Sequence, residues 1–171
     1  MLHIKSTLAI LTMIVLIIGC NSTDKVLSDE QARTICNKLE EVYANKNLGT
    51  INEVLDSNYV LYSPFFKVGA RGLETTKYNI QSNSRSFPDY KFKIDSFYVV
   101  NESIVYFWSA TGTNSGPLGR MPTTGKSINI SGVTVSKVRD GKIYEDHQYW
   151  NALDFYKQLG FEIIPPFAVQ K

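Results

Sequence analysis

Between Ser103 and Asn151 the chain carries three segments dense in β-branched and aromatic residues: Ile104 to Thr113, Lys126 to Arg139 and Ile143 to Trp150. Two turns separate them. Asn114 to Gly125 holds three glycines and two prolines and reads as an exposed loop, whereas Asp140-Gly141 is a two-residue hairpin turn whose members both tolerate positive φ. Consecutive strands joined this way form an antiparallel sheet, and a sheet with one apolar face must bury it against something.

The upstream segments supply that cover. Ser28 opens a helix: Gln31 completes a capping box, Asp29 and Glu30 suit the positive end of the helix dipole, and Ala32, Ile35, Cys36, Leu39, Val42 and Tyr43 recur at helical spacing. Ile51 to Leu55 suggests a second, short helix. Tyr59 to Tyr62 reads as a brief strand, Phe65 to Gly72 as a loop, and Leu73 to Arg85 as a third helix with the weakest apolar stripe of the three. Phe87-Pro88-Asp89 breaks it before a strand from Tyr90 to Val100, and a last short helix, Ala152 to Leu159, stops at Gly160. Helices first and a mostly antiparallel sheet afterwards predict one α+β domain over residues 28–171, with a curved sheet wrapping the N-terminal helices and leaving a pocket. Gly112 and Gly132, inside strands, are candidate breaks in the pleat.

Residues 1–19 read differently. Lys5 precedes an apolar run from Leu8 to Ile18, too short to span a bilayer, and Gly19 then stands directly before Cys20. The pattern is similar to a bacterial lipoprotein signal. It implies cleavage before Cys20, lipidation of that cysteine, a tether over residues 20–27, and a membrane-anchored protein of the bacterial cell envelope. Without residues 1–19 the chain loses one of its 18 Lys+Arg and none of its 16 Asp+Glu, and no basic run remains to bind nucleic acid. A lipidated Cys20 leaves Cys36 without a partner, as a small buried hydrophobe. From Cys20 onward one histidine and one free cysteine remain, and these cannot make a zinc site. Gly125-Lys126-Ser127 ends like a phosphate-binding loop, but that pattern needs glycine where Arg120 stands.

Phe87-Pro88-Asp89, Ala110-Thr111-Gly112-Thr113, Pro122-Thr123-Thr124-Gly125-Lys126, Asp140-Gly141-Lys142-Ile143 with Glu145, Tyr149-Trp150 and Gln158-Leu159-Gly160 follow one another in an order that resembles SnoaL-like polyketide cyclases, or ester cyclases, over Ala32 to Phe161. The resemblance implies the cone-shaped fold of the nuclear transport factor 2-like (cystatin-like) superfamily, a homodimer through the outer sheet face, and no metal or organic cofactor. It also implies aldol ring closure, in which an acidic residue in the cone removes a proton α to a carbonyl. Three positions depart from the pattern. Asn114 stands where such proteins usually carry His, Asn151 where they carry Asp, and Tyr62-Ser63-Pro64 where a His is frequent. An amide orients a carbonyl but does not act as a base near neutral pH.

Strand alternation puts Glu145, His147, Tyr149 and Asn151 on one face of the last strand, and the family's acidic position, Asn151, marks that face as the cavity side. Glu145 and His147 are then the candidate catalytic acid and base. Tyr62, Tyr106, Trp108 and Tyr149 line a candidate apolar pocket or simply pack the core, and Asn114 and Asn151 orient a small apolar carbonyl compound. Two functions stay open on these residues: acid–base chemistry of a cyclase or isomerase kind, and a non-catalytic module binding a ligand or partner at the envelope.

Overall fold

The computed structural model describes residues 26–162 and residue 164. The signal segment 1–19, the lipid site Cys20 and most of the tether lie outside them. Helix α1 (Asp29–Tyr43) starts on the expected box: Ser28 Oγ accepts from the Gln31 amide at 3.2 Å and Gln31 Oε1 accepts from the Ser28 amide at 2.9 Å. The apolar stripe from Ala32 to Val42 is buried against the sheet, Cys36 included, and burial pushes the Cys36 thiol up to about 12. Each fully buried Leu or Val here contributes about 1.5–3 kcal/mol.

A single turn, α2 (Ile51–Val54), feeds β1 (Leu55–Ser63), which turns back into β2 (Phe66–Arg71). The expected Phe65 to Gly72 loop is therefore a strand. Its Gly69 has φ +83, and a Cβ there would stand 2.9 Å from Val60 and 3.0 Å from Tyr62, so a residue that looked like loop punctuation lets two strands approach. Helix α3 (Leu73–Ser86), β3 (Lys91–Val100), β4 (Ser103–Thr113), β5 (Ser127–Arg139), β6 (Lys142–Trp150) and α4 (Ala152–Gln158) complete the order.

The six strands form one curved, unclosed sheet in the order β2-β1-β6-β5-β4-β3. All neighbours are antiparallel except β1 and β6, which run parallel. Gly112 and Gly132 do not break the pleat, because β4 and β5 pair without interruption from Ser103↔Lys137 to Thr113↔Ser127. The breaks fall at Asp95, between Ile94↔Trp108 and Ser96↔Phe107, at Tyr144, between Val138↔Ile143 and Lys137↔Glu145, and within β1, between Leu61 and Ser63 against β2 and between Leu55 and Val60 against β6. The glycines make room instead: a Cβ on Gly132 would stand 2.5 Å from the Trp108 ring and 2.7 Å from the Tyr149 carbonyl.

Candidate functional site

Helix α3 does not pack down fully on the sheet. Between them lies a cavity of about 280 Å³, with Thr76, Asn79 and Asn83 above, Trp108, Ile130, Gln148 and Trp150 below, and Phe65 and Phe155 at one end. This explains why α3 carries the weakest apolar signal: its inner face roofs a cavity and holds amides and hydroxyls. The lining is aromatic and aliphatic with a few neutral polar groups, the composition of a small-molecule site. No Asp, Glu, Lys, Arg or His lines it among the described residues. Asn79 Nδ2 is buried and has no hydrogen-bond partner among them. A buried donor left unmade is costly, by about 1–3 kcal/mol.

Trp108 floors the cavity because the chain leaves it no other place. Its ring crosses Gly132, the residue paired with both Trp108 and Trp150, and its Nε1 donates to Thr134 Oγ1 at 3.0 Å. Tyr106, one step along the same face, is buried and pairs with Thr134 of β5.

The other expected site residues are placed elsewhere. Glu145, His147 and Tyr149 lie on the outer face of β6, which corrects the expectation that this face lines the cone. The cause is the bulge at Tyr144: Ile143 points inward, Tyr144 is the extra residue, and from there on the inward positions are Asp146, Gln148 and Trp150. Asn151 was no guide to the face, since the strand has ended before it. It is the N-cap of α4, its Oδ1 accepting from the Asp154 amide at 3.0 Å.

Glu145 and His147 do meet, at 2.9 Å, but on the outside, where Lys137 Nζ also reaches Glu145 Oε1 at 2.7 Å and the His147 ring stacks on Tyr62 at 4.8 Å. The hydrogen bond from Lys137, then that from His147, holds the Glu145 carboxyl below the usual range. Tyr149 is 60% exposed.

Asn114 is inward and buried, but its hydrogen bonds are all spent on the protein. Nδ2 donates to Gly116 O at 2.8 Å and Ser86 O at 3.3 Å, while Oδ1 accepts from the Thr124 amide at 2.7 Å and its hydroxyl at 3.1 Å. It clasps the 114–125 loop to the end of α3, which brings Leu118 to the cavity.

The residue that sequence reasoning missed is Asp146. It is fully buried, with Tyr59 Oη donating to Oδ2 at 2.7 Å and Ser136 Oγ donating to Oδ1. Burial, opposed by these two hydroxyls, lifts its carboxyl to about 6. The available signal was the Trp108 row. Reading β6 from Trp150, an aromatic that pairs across Gly132, instead of from Asn151 turns Asp146 inward.

A second depression, about 600 Å³, runs along the surface between α1 and β3, where Arg33 lies over the Phe97 ring at 5.3 Å and Glu40 accepts from the Ile94 amide at 2.6 Å. It is polar and open. No cluster of three His, Cys, Asp or Glu able to hold a metal ion occurs among the described residues.

Solved structures of similar shape include TsrD from Streptomyces laurentii, at 18% identity and a TM-score of 0.71, covering 78% of this chain and 98% of that one. A polyketide cyclase candidate from Acidithiobacillus ferrooxidans matches at 24% identity and 0.67, over 75% of this chain and 94% of its own. IdmH from Streptomyces antibioticus matches at 22% and 0.64, over 77% and 99%. At these identities the likeness is one of fold. None of the curated proteins compared with the chain is similar enough to count as a relative. The family comparison is more decisive, for residues 33–159 match SnoaL-like polyketide cyclase, a span from the second turn of α1 to just past α4, and the chain belongs to that family.

Proposed function

We propose that the protein binds one small, flat, largely apolar molecule bearing a carbonyl group in the cavity beneath α3, and that it does so at a membrane of the cell envelope, held there by a lipidated Cys20. The observation that carries the binding role is the wall itself: aromatic surfaces, the unpartnered Asn79 Nδ2, and no acid or base side chain. A ligand carbonyl is the natural partner for Asn79 Nδ2, because it offers the missing acceptor. The two family positions that hold amides here, Asn114 and Asn151, are engaged in clasping a loop and capping a helix, and neither is free for a substrate proton.

Native mass spectrometry of the full chain extracted in mild detergent tests this. A co-purifying small molecule should be retained by the parent and by Glu145→Ala, and lost from Asn79→Leu and Trp108→Ala. Retention by both cavity variants would remove the proposal. The same spectra weigh the chain's N-terminus, and an unmodified Cys20 would remove the anchor.

A second reading, a cofactor-independent cyclase or isomerase, has one observation in its favour: Asp146, a buried carboxyl that titrates in a physiological range directly behind the cavity floor. The family expectation of a homodimer points to the outer sheet face, where Tyr98, Phe107 and Tyr149 are exposed. Sedimentation of the parent against Tyr149→Lys decides whether that face joins two copies.

A further inference from the structure

The carboxamides of the cavity share one property: none of them is hydrogen-bonded to the protein among the described residues. Thr76, Asn79, Ile80 and Asn83 recur at helical spacing on one face of α3. That face is the inward one, since Thr76 and Ile80 are buried while Glu74, Thr75, Tyr78 and Gln81 are exposed. From β6, Gln148 stands inward between Asp146, which is buried, and Trp150, which floors the cavity. Asn79, Asn83 and Gln148 all line the cavity. The hydroxyls beside them are engaged, Thr76 donating to the Gly72 carbonyl at 3.0 Å and Ser84 to that of Ile80 at 2.9 Å. The three amides are not, and Asn79 Nδ2 is buried as well.

A carboxamide carries a donor and an acceptor side by side in one plane, and a ligand that displaces water from it must answer both. A ketone or ester answers only the N–H and leaves the amide oxygens facing an apolar ring. A hydroxyl set beside a carbonyl adds little, because it donates first to its own carbonyl. A cis amide is different: its N–H and C=O point the same way, cannot meet each other, and match a carboxamide edge to edge with two parallel hydrogen bonds, as asparagine and glutamine do on a base edge. Enclosing that amide in a ring fixes the cis geometry and makes it flat. Trp108, Trp150 and Phe65 offer such a ring its apolar surfaces.

We propose that the cavity selects a planar, neutral cyclic amide or imide, read along its N–H and C=O edge by the unpaired carboxamides of Asn79, Asn83 and Gln148. The inference rests on the small-molecule reading of the cavity and names the chemical class of the carbonyl: it belongs to an amide within a ring, and the neighbouring N–H is the second point of contact. The carbonyl takes an amide N–H of the wall, and the ring N–H gives its proton to an amide oxygen. A neutral group also fits a lining that holds no Asp, Glu, Lys, Arg or His among the described residues to pair with a charge.

The probes are 2-quinolone, a flat cyclic amide, and coumarin, the same bicycle with a ring oxygen in place of the N–H. Their dissociation constants are measured on the detergent-solubilised full chain from quenching of its two tryptophans, Trp108 and Trp150, both of which line the cavity. The parent should bind 2-quinolone about tenfold more tightly than coumarin, the worth of one good hydrogen bond. At least one of Asn79→Leu, Asn83→Leu and Gln148→Met should bring the two probes level while coumarin still binds. A variant that does not fold, seen as loss of its near-UV tryptophan signal, is replaced by alanine at the same position. Coumarin binding the parent as tightly as 2-quinolone overturns the inference and leaves the cavity reading standing, as does a preference that survives in all three variants. Failure of both probes to bind, up to their solubility, overturns both.

Discussion

Replacing Asp146 with asparagine should abolish a pH dependence of stability that runs opposite to the usual one. The carboxyl is fully buried, and its protonation moves from the ordinary 3.8 to about 6 on folding. The unfolded chain keeps the ordinary value. Between roughly pH 4 and pH 6 the folded protein thus holds a proton that the unfolded chain has released, and stability falls as pH rises through that window. The contribution is fully present below the unfolded value and lost above about 6. At about 1.4 kcal/mol for each pH unit, the displacement is worth about 3 kcal/mol, a large share of the 5–15 kcal/mol typical of a domain. Urea unfolding of the parent and of Asp146→Asn across this range isolates the effect, since all exposed carboxylates are common to both. The parent's stability relative to the variant should drop by about 2.5 kcal/mol from pH 4 to pH 7 and then stay level. A difference that is flat, or that grows with pH, would show that Tyr59 and Ser136 compensate the buried charge fully and would refute the reasoning.

Three further substitutions follow from single contacts. Gly132→Ala drives a methyl into the Trp108 ring and the Tyr149 carbonyl, and should cost about 1–3 kcal/mol in urea unfolding with a changed tryptophan near-UV spectrum. Asn114→Ala strands the Thr124 amide and the Gly116 carbonyl, so about 2–4 kcal/mol should be lost, and hydrogen exchange at Thr124 should quicken well before the rest of the sheet opens. His147→Ala removes a partly buried hydrogen bond to Glu145 on the outer face, worth about 0.5–1.5 kcal/mol, and ligand retention in native mass spectrometry should be unchanged.

Features encoded within a few residues were legible from the chain alone. The capping box of α1 and its apolar stripe are local, as is the hairpin at Asp140 and Gly141, both of which have positive φ. The edge strand β2 was not, because its pairing depends on β1 alone and two glycines within Phe66 to Gly72 look like a loop until Val60 and Tyr62 are seen passing over Gly69. The site divides the same way. Trp108, a bulky ring one strand from a glycine, lies on the cavity wall, while Glu145 and His147 were assigned to the cavity from Asn151, which stands beyond the end of the strand.

The extra residue at Tyr144 decides more than a face. Residues 145 to 148 read Glu, Asp, His, Gln, and either alternate pair would give a chemically plausible wall: Glu145 with His147, or Asp146 with Gln148. Nothing local chooses between them, because the bulge at Tyr144 exists only through the pairing of β6 with β5, where Val138 meets Ile143 and Lys137 meets Glu145. The outward pair meets water and Lys137, and its charges are shared at the surface. The inward pair is divided by position: Gln148 stands on the cavity wall as a neutral amide, and Asp146 lies outside the lining, held by the Tyr59 and Ser136 hydroxyls. A carboxylate set directly on so apolar a wall would be left without donors once a ligand displaced water, whereas one held by two hydroxyls keeps its partners whether the cavity is full or empty. The amides at positions 114 and 151 fit the same logic. With the ionisable group buried away from the wall, the two amides are spent on structure, Asn114 fastening the 114–125 loop and Asn151 the last helix.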